Sequence, residues 1–495
     1  MVEIKLAPLL DASSTQTLDQ WWQSDAGVSG FDLMSRAADA ICHELFQHYN
    51  LKNVWVLAGG GNNGGDGWAV AAKLKTLGVN VSVWAFHDPH TLIGDAQRAF
   101  EAADGVAWFT EMSVPDVKPT VVVDALLGVG FQPPLKGAIG TFLEQHLTSC
   151  PVVAVDVPSG VSAATGAAGA HLPATSTVSF FTHKCGLVTG TGRIAAGRRV
   201  IESFGMSSRD LKRSGIQAKA QLVLNVSPLA PRSGDSFKHK NGRVFVVAGE
   251  YRMMGGALMA AKSALSCGAG LVTLLQPSDN TMLPQLSMPE LMLDNLDRLS
   301  ELGLSSRSDV IVVGPGWPVG QSLTALLNEL SRAQISAVID AGALRVISEE
   351  GLPSGRWVLT PHAGEAAALL GVSTSEVESN RYRSAKQIAE QYGATVILKG
   401  PGTIVSDGCD TFVIDAGSPA LATAGSGDVL CGVVAACIAQ GLDLQQASIA
   451  SSFYHAQAGD LWERDYGSRG ARATEFIPII RAVLNGRGIH NVFSR

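Results

Sequence analysis

Two glycine-rich stretches and two strand-like runs that end in an acid hold the side chains in this sequence best suited to chemistry. "GGGNNGGDG" at residues 59–67 sits between an apolar run and a helical pattern. Its Gly59-x-Gly61-x-x-Gly64 spacing fits a dinucleotide fingerprint, with Asp88 further along at about the expected distance of ~20 residues. Asp66 does not suit that reading, because it would turn a negative charge toward a pyrophosphate that needs N–H donors. A helix N-cap and a ligand contact are both open for Asp66. Downstream, "VVVDALLGVGFQPPLKG" ends an apolar run at Asp124, and "VVAVDVPSG" ends another at Asp156, followed by Pro158, Ser159 and Gly160. A cap explains any one of these acids. Three strand ends carrying Asn62, Asn63, Asp66, Asp124, Asp156 and Ser159 point instead to one convergent polar site, because ligands of open parallel sheets sit beyond the carboxyl ends of the strands.

The second half carries another such set. In "SPALATAGSGDVLCGVVAACIAQG" a Gly425-Ser426-Gly427 turn opens an apolar helix, so unbonded N–H groups and the helix dipole form an anion hole. Asp428 follows, placed to take a proton from a hydroxyl facing that hole, or simply to cap the helix. "LKGPGT" at 398–403 adds a glycine loop after a strand, and "LTPHAGE" at 359–365 puts His362 at a helix start. A lone histidine is commonly structural, but this one follows a strand end like the others.

Parallel strands alternating with helices would position all of these residues. Short Val/Ile-rich runs recur at 54–58, 81–86, 120–125, 152–156 and 178–181, with helices expected over 16–49. A second series runs at 243–249, 271–275, 309–314, 336–341, 357–360 and 395–400, closed by helices after Gly427 and around Ala447 to Trp462. Residues 205–222 lose the strand rhythm, and the domain boundary is expected there. The fold class is α/β, as two three-layer domains, because 495 residues exceed the roughly 250–300 at which one core stops growing. The net charge of −7 provides no basic stripe for a nucleic acid or an anionic membrane. No signal-like N-terminus and no apolar run of spanning length is present, and the seven scattered cysteines suit reduced thiols, so a cytoplasmic protein with small-molecule partners is expected.

The NNGGDG segment, the strand-end Asp124 with its glycine loop, and Asp156-x-Pro158-Ser159-Gly160 followed by Lys184 together resemble the NAD(P)H-hydrate epimerase family over about residues 9–215. The resemblance implies a Rossmann-like parallel sheet. It implies that Asn62, Asn63, Gly64, Gly65, Asp66, Gly128, Val129, Gly130, Phe131, Gln132, Pro133, Pro134 and Asp156 contact the hydrate, with Asp156 exchanging protons. Asn63, Asp124 and Ser159 would surround a potassium ion, and oxygen ligands of mixed charge suit a hard cation.

The second set resembles the ribokinase-like fold and, within it, the NAD(P)H-hydrate dehydratase family over roughly 222–492. Supporting stretches are "GGALMAAKSALSCGAGLVT" at 255–273, "GPGW" at 314–317, "DAGAL" at 340–344 and "YHAQAGD" at 454–460. This resemblance implies a nucleotide, ADP with Mg2+, held by Lys399, Gly400, Pro401, Gly402 and Thr403, and by Ser418, Pro419, Ala420, Leu421, Ala422, Thr423, Ala424, Gly425, Ser426 and Gly427. Ala257, Gly316, His362 and Asp428 would contact the hydrate, with Asp428 the catalytic base. The family pattern is departed from at "GEYRMMGG" (249–256), at Asp340-Ala341-Gly342 and at Ser418-Pro419. The expected reading is an epimerase domain over 1–215 and a dehydratase domain over 222–495, acting on NADHX and NADPHX, with a homo-oligomer expected. A vitamin-precursor kinase of the same fold fused to a dinucleotide-binding module is the competing enzyme. A non-catalytic scaffold is the competing binding protein, and the retained Asp124 and Asp156 argue against it.

Overall fold

The computed structural model describes residues 2–110, 118–135, 137–145, 150–247, 253–276, 288–304, 308–317, 323–353 and 355–487. The chain divides into two compact units, Pro8–Gln221 and Leu222–Arg495, and the second also takes in Met1–Ala7. Those first residues had been expected in the first domain. Backbone pairing holds them where they are: the Ser227 N–H donates to the Glu3 carbonyl at 2.8 Å, and the Glu3 N–H to Ser227 Oγ at 2.8 Å.

In the first unit seven strands form one sheet: β1 (Val54–Ala58), β2 (Val81–Ala85), β3 (Ala107–Phe109), β4 (Val121–Ala125), β5 (Val152–Val155), β6 (Ser176–Phe180) and β7 (Arg198–Glu202). Their order is β3-β2-β1-β4-β5-β6-β7, and every pairing is parallel. The order reverses between β1 and β4, which end in register at Ala58 and Ala125. This is the switch point at which a crevice opens beyond the strand ends. Alternate residues of β4 face opposite cores. Val121 and Val123 join the cluster of Leu33, Ile41 and Trp68, while Val122 joins Leu57, Trp84 and Phe142. Burial on both faces is why these strands read as unbroken apolar runs. Helices α1 (Ala12–Ala26), α2 (Gly30–His48) and α3 (Asn62–Thr76) complete the part that matters for the site.

The second unit is built on β8 (Arg243–Val247), β9 (Leu271–Gln276), β10 (Met292–Asn295), β11 (Asp309–Val313), β12 (Ser336–Ile339), β13 (Arg356–Leu359), β14 (Thr395–Leu398), β15 (Thr403–Ser406) and β16 (Thr411–Ile414). They run in the order β10-β9-β8-β11-β12-β13-β14-β15-β16. Pairing is parallel as far as β14 and antiparallel for β15 and β16. Val310 and Val312 face one core while Ile311 and Val313 are equally buried on the other face. The helices around its site are α4 (Met254–Ser266), α5 (Ala363–Leu370), α6 (Ser426–Ala439) and α7 (Leu444–Tyr466).

Helix α6 is apolar on nearly every side because it is buried on nearly every side. A Cβ at Gly432 would overlap the Ala260 carbonyl oxygen and Ser263 Oγ of α4, so the two backbones touch there, and Ser263 Oγ donates to the Val429 carbonyl at 2.9 Å. Among the described residues no helix is long and apolar enough to cross a membrane.

Gly432→Ala should therefore force α4 and α6 apart, at a cost of about 1–3 kcal/mol for overpacking. Thermal unfolding of the variant should show a lower midpoint for the second unit. An unchanged midpoint would mean that the helices do not meet backbone to backbone.

Candidate functional site

In the first unit the glycine loop leaves β1 at the switch point. Gly61 is the N-cap of α3 and supplies no side-chain cap, and Asp66 lies in the second turn. The capping role open to Asp66 is thus ruled out. A Cβ at Gly64 would overlap the Gly59 carbonyl, and one at Gly67 would meet the Ala125 Cβ at 2.7 Å, so the glycines let α3 lie directly on the strand ends. Asp88, the other fingerprint candidate, caps the short turn Pro89–Thr91 by accepting from the His90 N–H at 3.1 Å.

Asp124 is completely buried at the end of β4. Its Oδ2 accepts the Ser159 N–H at 2.8 Å, and its Oδ1 accepts Ser159 Oγ–H at 2.5 Å and the Leu126 N–H at 3.3 Å. Burial pushes its pKa up to about 6, against the lowering effect of those hydrogen bonds. Ser159 Oγ in turn accepts the Leu127 N–H at 2.9 Å, which anchors the loop through Gly128. A Cβ on Gly128 would come within 3.0 Å of Asn63 Oδ1, and the Asn63 Nδ2 is buried with no hydrogen-bond partner. Asn63, Gly128, Ser159 and Asp124 thus form one continuous polar corner. The rest of the expected loop, Val129 to Pro134, runs outward from partly buried to exposed and includes a cis Pro133–Pro134 peptide.

Asp156 takes a left-handed backbone conformation, φ 63°, which is costly for a residue with a Cβ. Its Oδ1 pairs with Lys184 Nζ at 2.7 Å and accepts the Phe180 N–H at 3.1 Å and Ser179 Oγ–H at 3.4 Å. Lys184 is completely buried and spends its remaining donors on Ser179 Oγ at 2.9 Å and the Phe180 carbonyl at 3.0 Å. Two more carboxyls sense Asp156. Asp66 is held well above the usual carboxylate range by burial and then by the charges of Asp156 and Asp19. Asp19, on α1, is raised by burial and by Asp156, while Gln23 and Lys184 pull the other way. Nothing in the local sequence of α1 marks Asp19 as a site residue.

In the second unit Lys399, at the end of β14, pairs with Asp340 at the end of β12 at 2.8 Å and lies 3.9 Å from Glu365 on α5. Burial alone would lower the Lys399 pKa, but the two carboxylates outweigh it and hold the ammonium charged. Burial likewise works to raise the Asp340 pKa, and Lys399 with the Cys431 and Thr360 side chains brings it below the usual range. The Gly-Ser-Gly turn packs onto this pair: a Cβ at Gly427 would sit 3.2 Å from Lys399 Nζ and 3.4 Å from Asp340 Oδ2. Gly425, at φ 87°, is the N-cap of α6 and no side chain caps the helix; the Ser426 N–H donates to the Thr423 carbonyl at 3.3 Å, and the Gly427 and Asp428 N–H groups that follow are open to an anion. Asp428 is the third residue of that helix. Burial first, then Asp340 and Glu365, push its pKa to about 6 against the pull of Lys399.

Other expected residues fall around this centre. Gly400 and Gly402 both have positive φ, and a Cβ at Gly400 would lie 2.8 Å from the buried Arg381 guanidinium, which donates to the Leu398 and Lys399 carbonyls. Thr403 donates to the Gly400 carbonyl at 3.2 Å, and Pro401 is exposed. Ser418 caps the turn Pro419–Leu421 through the Ala420 N–H at 3.2 Å and donates to the Gly459 carbonyl at 3.0 Å, so serine fills a capping role at this departure. Gly342, the other departure, lies where a Cβ would overlap the Trp317 carbonyl. Gly316 has φ 75° and packs beneath Met253. His362 proves to be the N-cap of α5: its Nδ1 accepts the Gly364 and Glu365 N–H groups at 3.0 and 3.2 Å, and its Nε2 lies 3.5 Å from Glu365 Oε1. Ala257 is fully buried, and its neighbour Gly256 is the residue facing Asp428, with a Cβ position 3.1 Å from Oδ2. Of the departure at 249–256, residues 249–252 lie outside the described residues. Asp340, Glu365 and His455 were not singled out from sequence. The His455 Nε2 lies 3.2 Å from Ser426 Oγ, and burial pushes this imidazole down to about 4, so it is neutral.

The model for the family described as NAD(P)H-hydrate dehydratase matches residues 244–482, and that described as YjeF-related protein N-terminus matches residues 30–186. A bifunctional NAD(P)H-hydrate repair enzyme of Coxiella burnetii is 33% identical over 471 residues, covering 93% of this chain and 96% of that protein. The enzyme of the same description from Escherichia coli is 34% identical over 475 residues, covering 93% and 90%. A solved structure of an ADP/ATP-dependent NAD(P)H-hydrate dehydratase from Bacillus subtilis is 27% identical with a TM-score of 0.48, covering 52% of this chain and 93% of that one.

Asp428 should lower stability at the pH where it is ionised. Its folded pKa of about 6 lies above the unfolded value of 3.8, so the benefit of its protonated form is complete below 3.8 and lost as pH rises through 6. Asp428→Asn should therefore raise the unfolding free energy by about 2 kcal/mol at pH 7.5, after a discount for partial exposure, and by nothing below pH 4. Equal stability of the two proteins at pH 7.5 would refute the buried, repelled placement of Asp428.

Proposed function

The chain belongs to the bifunctional NAD(P)H-hydrate repair enzyme family, and on that premise we propose how its two units divide the repair of hydrated NADH and NADPH. The unit Pro8–Gln221 interconverts the R and S epimers. The unit Leu222–Arg495 dehydrates the S epimer at the expense of ADP, returning NAD(P)H, AMP and phosphate. The observation that supports this most is the second centre, where an acid with pKa near 6 adjoins an uncapped helix N-terminus and a half-buried lysine.

There Asp428 takes the proton of the ring hydroxyl as that oxygen receives the terminal phosphoryl group of ADP and AMP leaves. Phosphate then departs with a ring proton, restoring the double bond. The Gly427 and Asp428 amides at the start of α6 and Lys399 meet the charge on the moving phosphoryl group. Mg2+ enters with the nucleotide, in keeping with its preference for phosphate oxygens. Among the described residues no three His, Cys, Asp or Glu side chains gather to hold a metal by themselves.

In the first unit Asp156 exchanges protons with the hydrate, and Oδ2, which no hydrogen bond among the described residues uses, is the atom free to do so. Asn63, Asp124 and Ser159 suit a potassium ion: they offer an amide, a carboxylate and a hydroxyl, and the Asn63 amide ends in a buried nitrogen without a partner, so turning it over presents its oxygen there. The ion would supply positive charge beside the phosphates of the substrate.

Racemic NADPH hydrate with ADP, Mg2+ and K+ should return NADPH in one phase. Asp428→Asn should abolish that return while epimerisation continues. Asp156→Ala should give a fast phase that stops when the S epimer is gone, then a slow one limited by spontaneous epimerisation. A folded Asp156→Ala that consumes both epimers in one fast phase would remove Asp156 from the mechanism. Exchange of K+ for tetramethylammonium should slow epimerisation and spare dehydration of the S epimer. A rate indifferent to every monovalent cation would count against the ion site.

A further inference from the structure

Helix α1 begins two residues after Leu10, whose strand partner is Lys184, so the strand pairing fixes where the helix starts relative to the Asp156–Lys184 pair. Its first residue, Ala12, packs on the same small core as Val129 and Val157, and Gln16 Nε2 lies 3.5 Å from where a Cβ of Gly130 would be. Positions 12, 16, 19 and 23 share one helix face. That face is turned to the substrate loop and to Asp156, while Thr15 and Leu18 on the next stripe are buried and Ser13, Thr17, Gln20 and Ser24 look outward. Asp19 thus comes two turns along the wall of the first site. Gln23 Nε2 holds its Oδ1 at 3.1 Å, and the charged groups it faces are Asp156, Lys184 and, across the loop, Asp66.

We propose that Asp19 is the second proton carrier of the epimerase site, working as the acid opposite Asp156 as the base. The proposal rests on the reading of Pro8–Gln221 as the epimerase. The carboxylic acid of Asp19 gives its proton to the ring hydroxyl, the C–O bond breaks, and water leaves as the ring nitrogen lone pair forms an iminium. A water molecule adds to the opposite face, its oxygen forming the new C–O bond and its proton passing to Asp156. The enzyme then holds one proton more on Asp156 and one fewer on Asp19, and exchange with solvent resets both. A single acid could serve only one face of the ring, whereas epimerisation needs proton transfer at both. Burial and the neighbouring Asp156 raise the Asp19 pKa, which extends the donor form above the usual carboxylate range.

The test uses the full chain with racemic hydrate. Asp19→Asn should lower the epimerisation rate by roughly 100-fold, the scale of a lost general acid, leaving ADP-dependent dehydration of the S epimer unchanged. Asp19→Glu should recover a measurable part of the loss. In the parent protein the epimerisation rate should fall as pH rises through the raised Asp19 pKa, and in Asp19→Asn the residual rate should lose that alkaline fall. A rate within threefold of the parent in folded Asp19→Asn, or a parent rate with no alkaline fall, overturns the proposal while the epimerase reading stands. Absence of epimerisation in the parent protein overturns both. If Asp19→Asn does not fold, the Asp19→Glu rate and the parent pH profile decide.

Discussion

A carboxylate at the end of a buried parallel strand has lost most of its water, and the structure must replace that water or leave the acid protonated. Every functional group in this protein is arranged around that constraint. Asp124 is compensated by three hydrogen bonds from neighbouring loops and still titrates near 6. Asp156 and Asp340 are each given a lysine, Lys184 and Lys399, at 2.7 and 2.8 Å. Removing one partner of such a pair strands the other charge in the interior, which costs about 3–5 kcal/mol. The lysines are therefore as much part of the fold as of the sites: Lys184 holds Asp156 by Oδ1, while Asp340 is held by Lys399 at Oδ1 and by the Cys431 thiol at Oδ2.

The acids reach their ligands because glycines let backbone lie on backbone. Helix α3 rests on the ends of β1 and β4 through Gly64 and Gly67, and α6 rests on α4 through Gly432. In both units the helix that opens the site has a glycine N-cap and no side-chain cap, which leaves N–H groups of its first turn, Gly427 and Asp428 in α6, without an acceptor. A serine or aspartate at Gly61, where nothing lies within 4 Å of a Cβ, would stabilise α3 by about 1 kcal/mol and close its anion site, whereas at Gly425 the φ of 87° and the overlapping Met259 side chain exclude one.

Much of this was legible in the sequence where burial is symmetrical. The central strands of both sheets are buried on both faces, so they show as Val/Ile runs, and the glycines and acids that follow them mark the crevice. Strands at the sheet margins carry no such signal: Ala107–Phe109 is three residues long and largely exposed, and Arg198–Glu202 reads as charged. The β15–β16 hairpin was missed although Asp407-Gly408 is a recognisable turn pair. The site residues that escaped notice are those whose significance depends on a distant partner. Asp340 lies 59 residues before its partner Lys399, which the glycine loop at 398–403 marks in the sequence, and the two touch only because β12, β13 and β14 are neighbours in the sheet. Asp19 sits among ordinary polar residues of an amphipathic helix and becomes notable only when the pairing of Leu10 with Lys184 brings it to Asp156. His362 was noticed for its type, and its ring nitrogen is engaged in capping α5.

The second centre also shows why a costly acid is useful. Asp428 is already repelled by Asp340 and Glu365 when the site holds no ligand. A nucleotide phosphate arriving at the N-terminus of α6 would place further negative charge beside it and move its pKa upward from about 6. A base is most effective when its pKa lies close to the working pH, so binding of the phosphoryl donor would itself bring Asp428 nearer the value at which it best accepts the hydroxyl proton. Lys399 sets the limit to that rise, since its ammonium, held by Asp340 and Glu365, stays beside the turn and favours the ionised form of Asp428. The repulsion that lowers stability and the attraction that favours the carboxylate form of Asp428 therefore come from one cluster, and neither can be removed without altering the other.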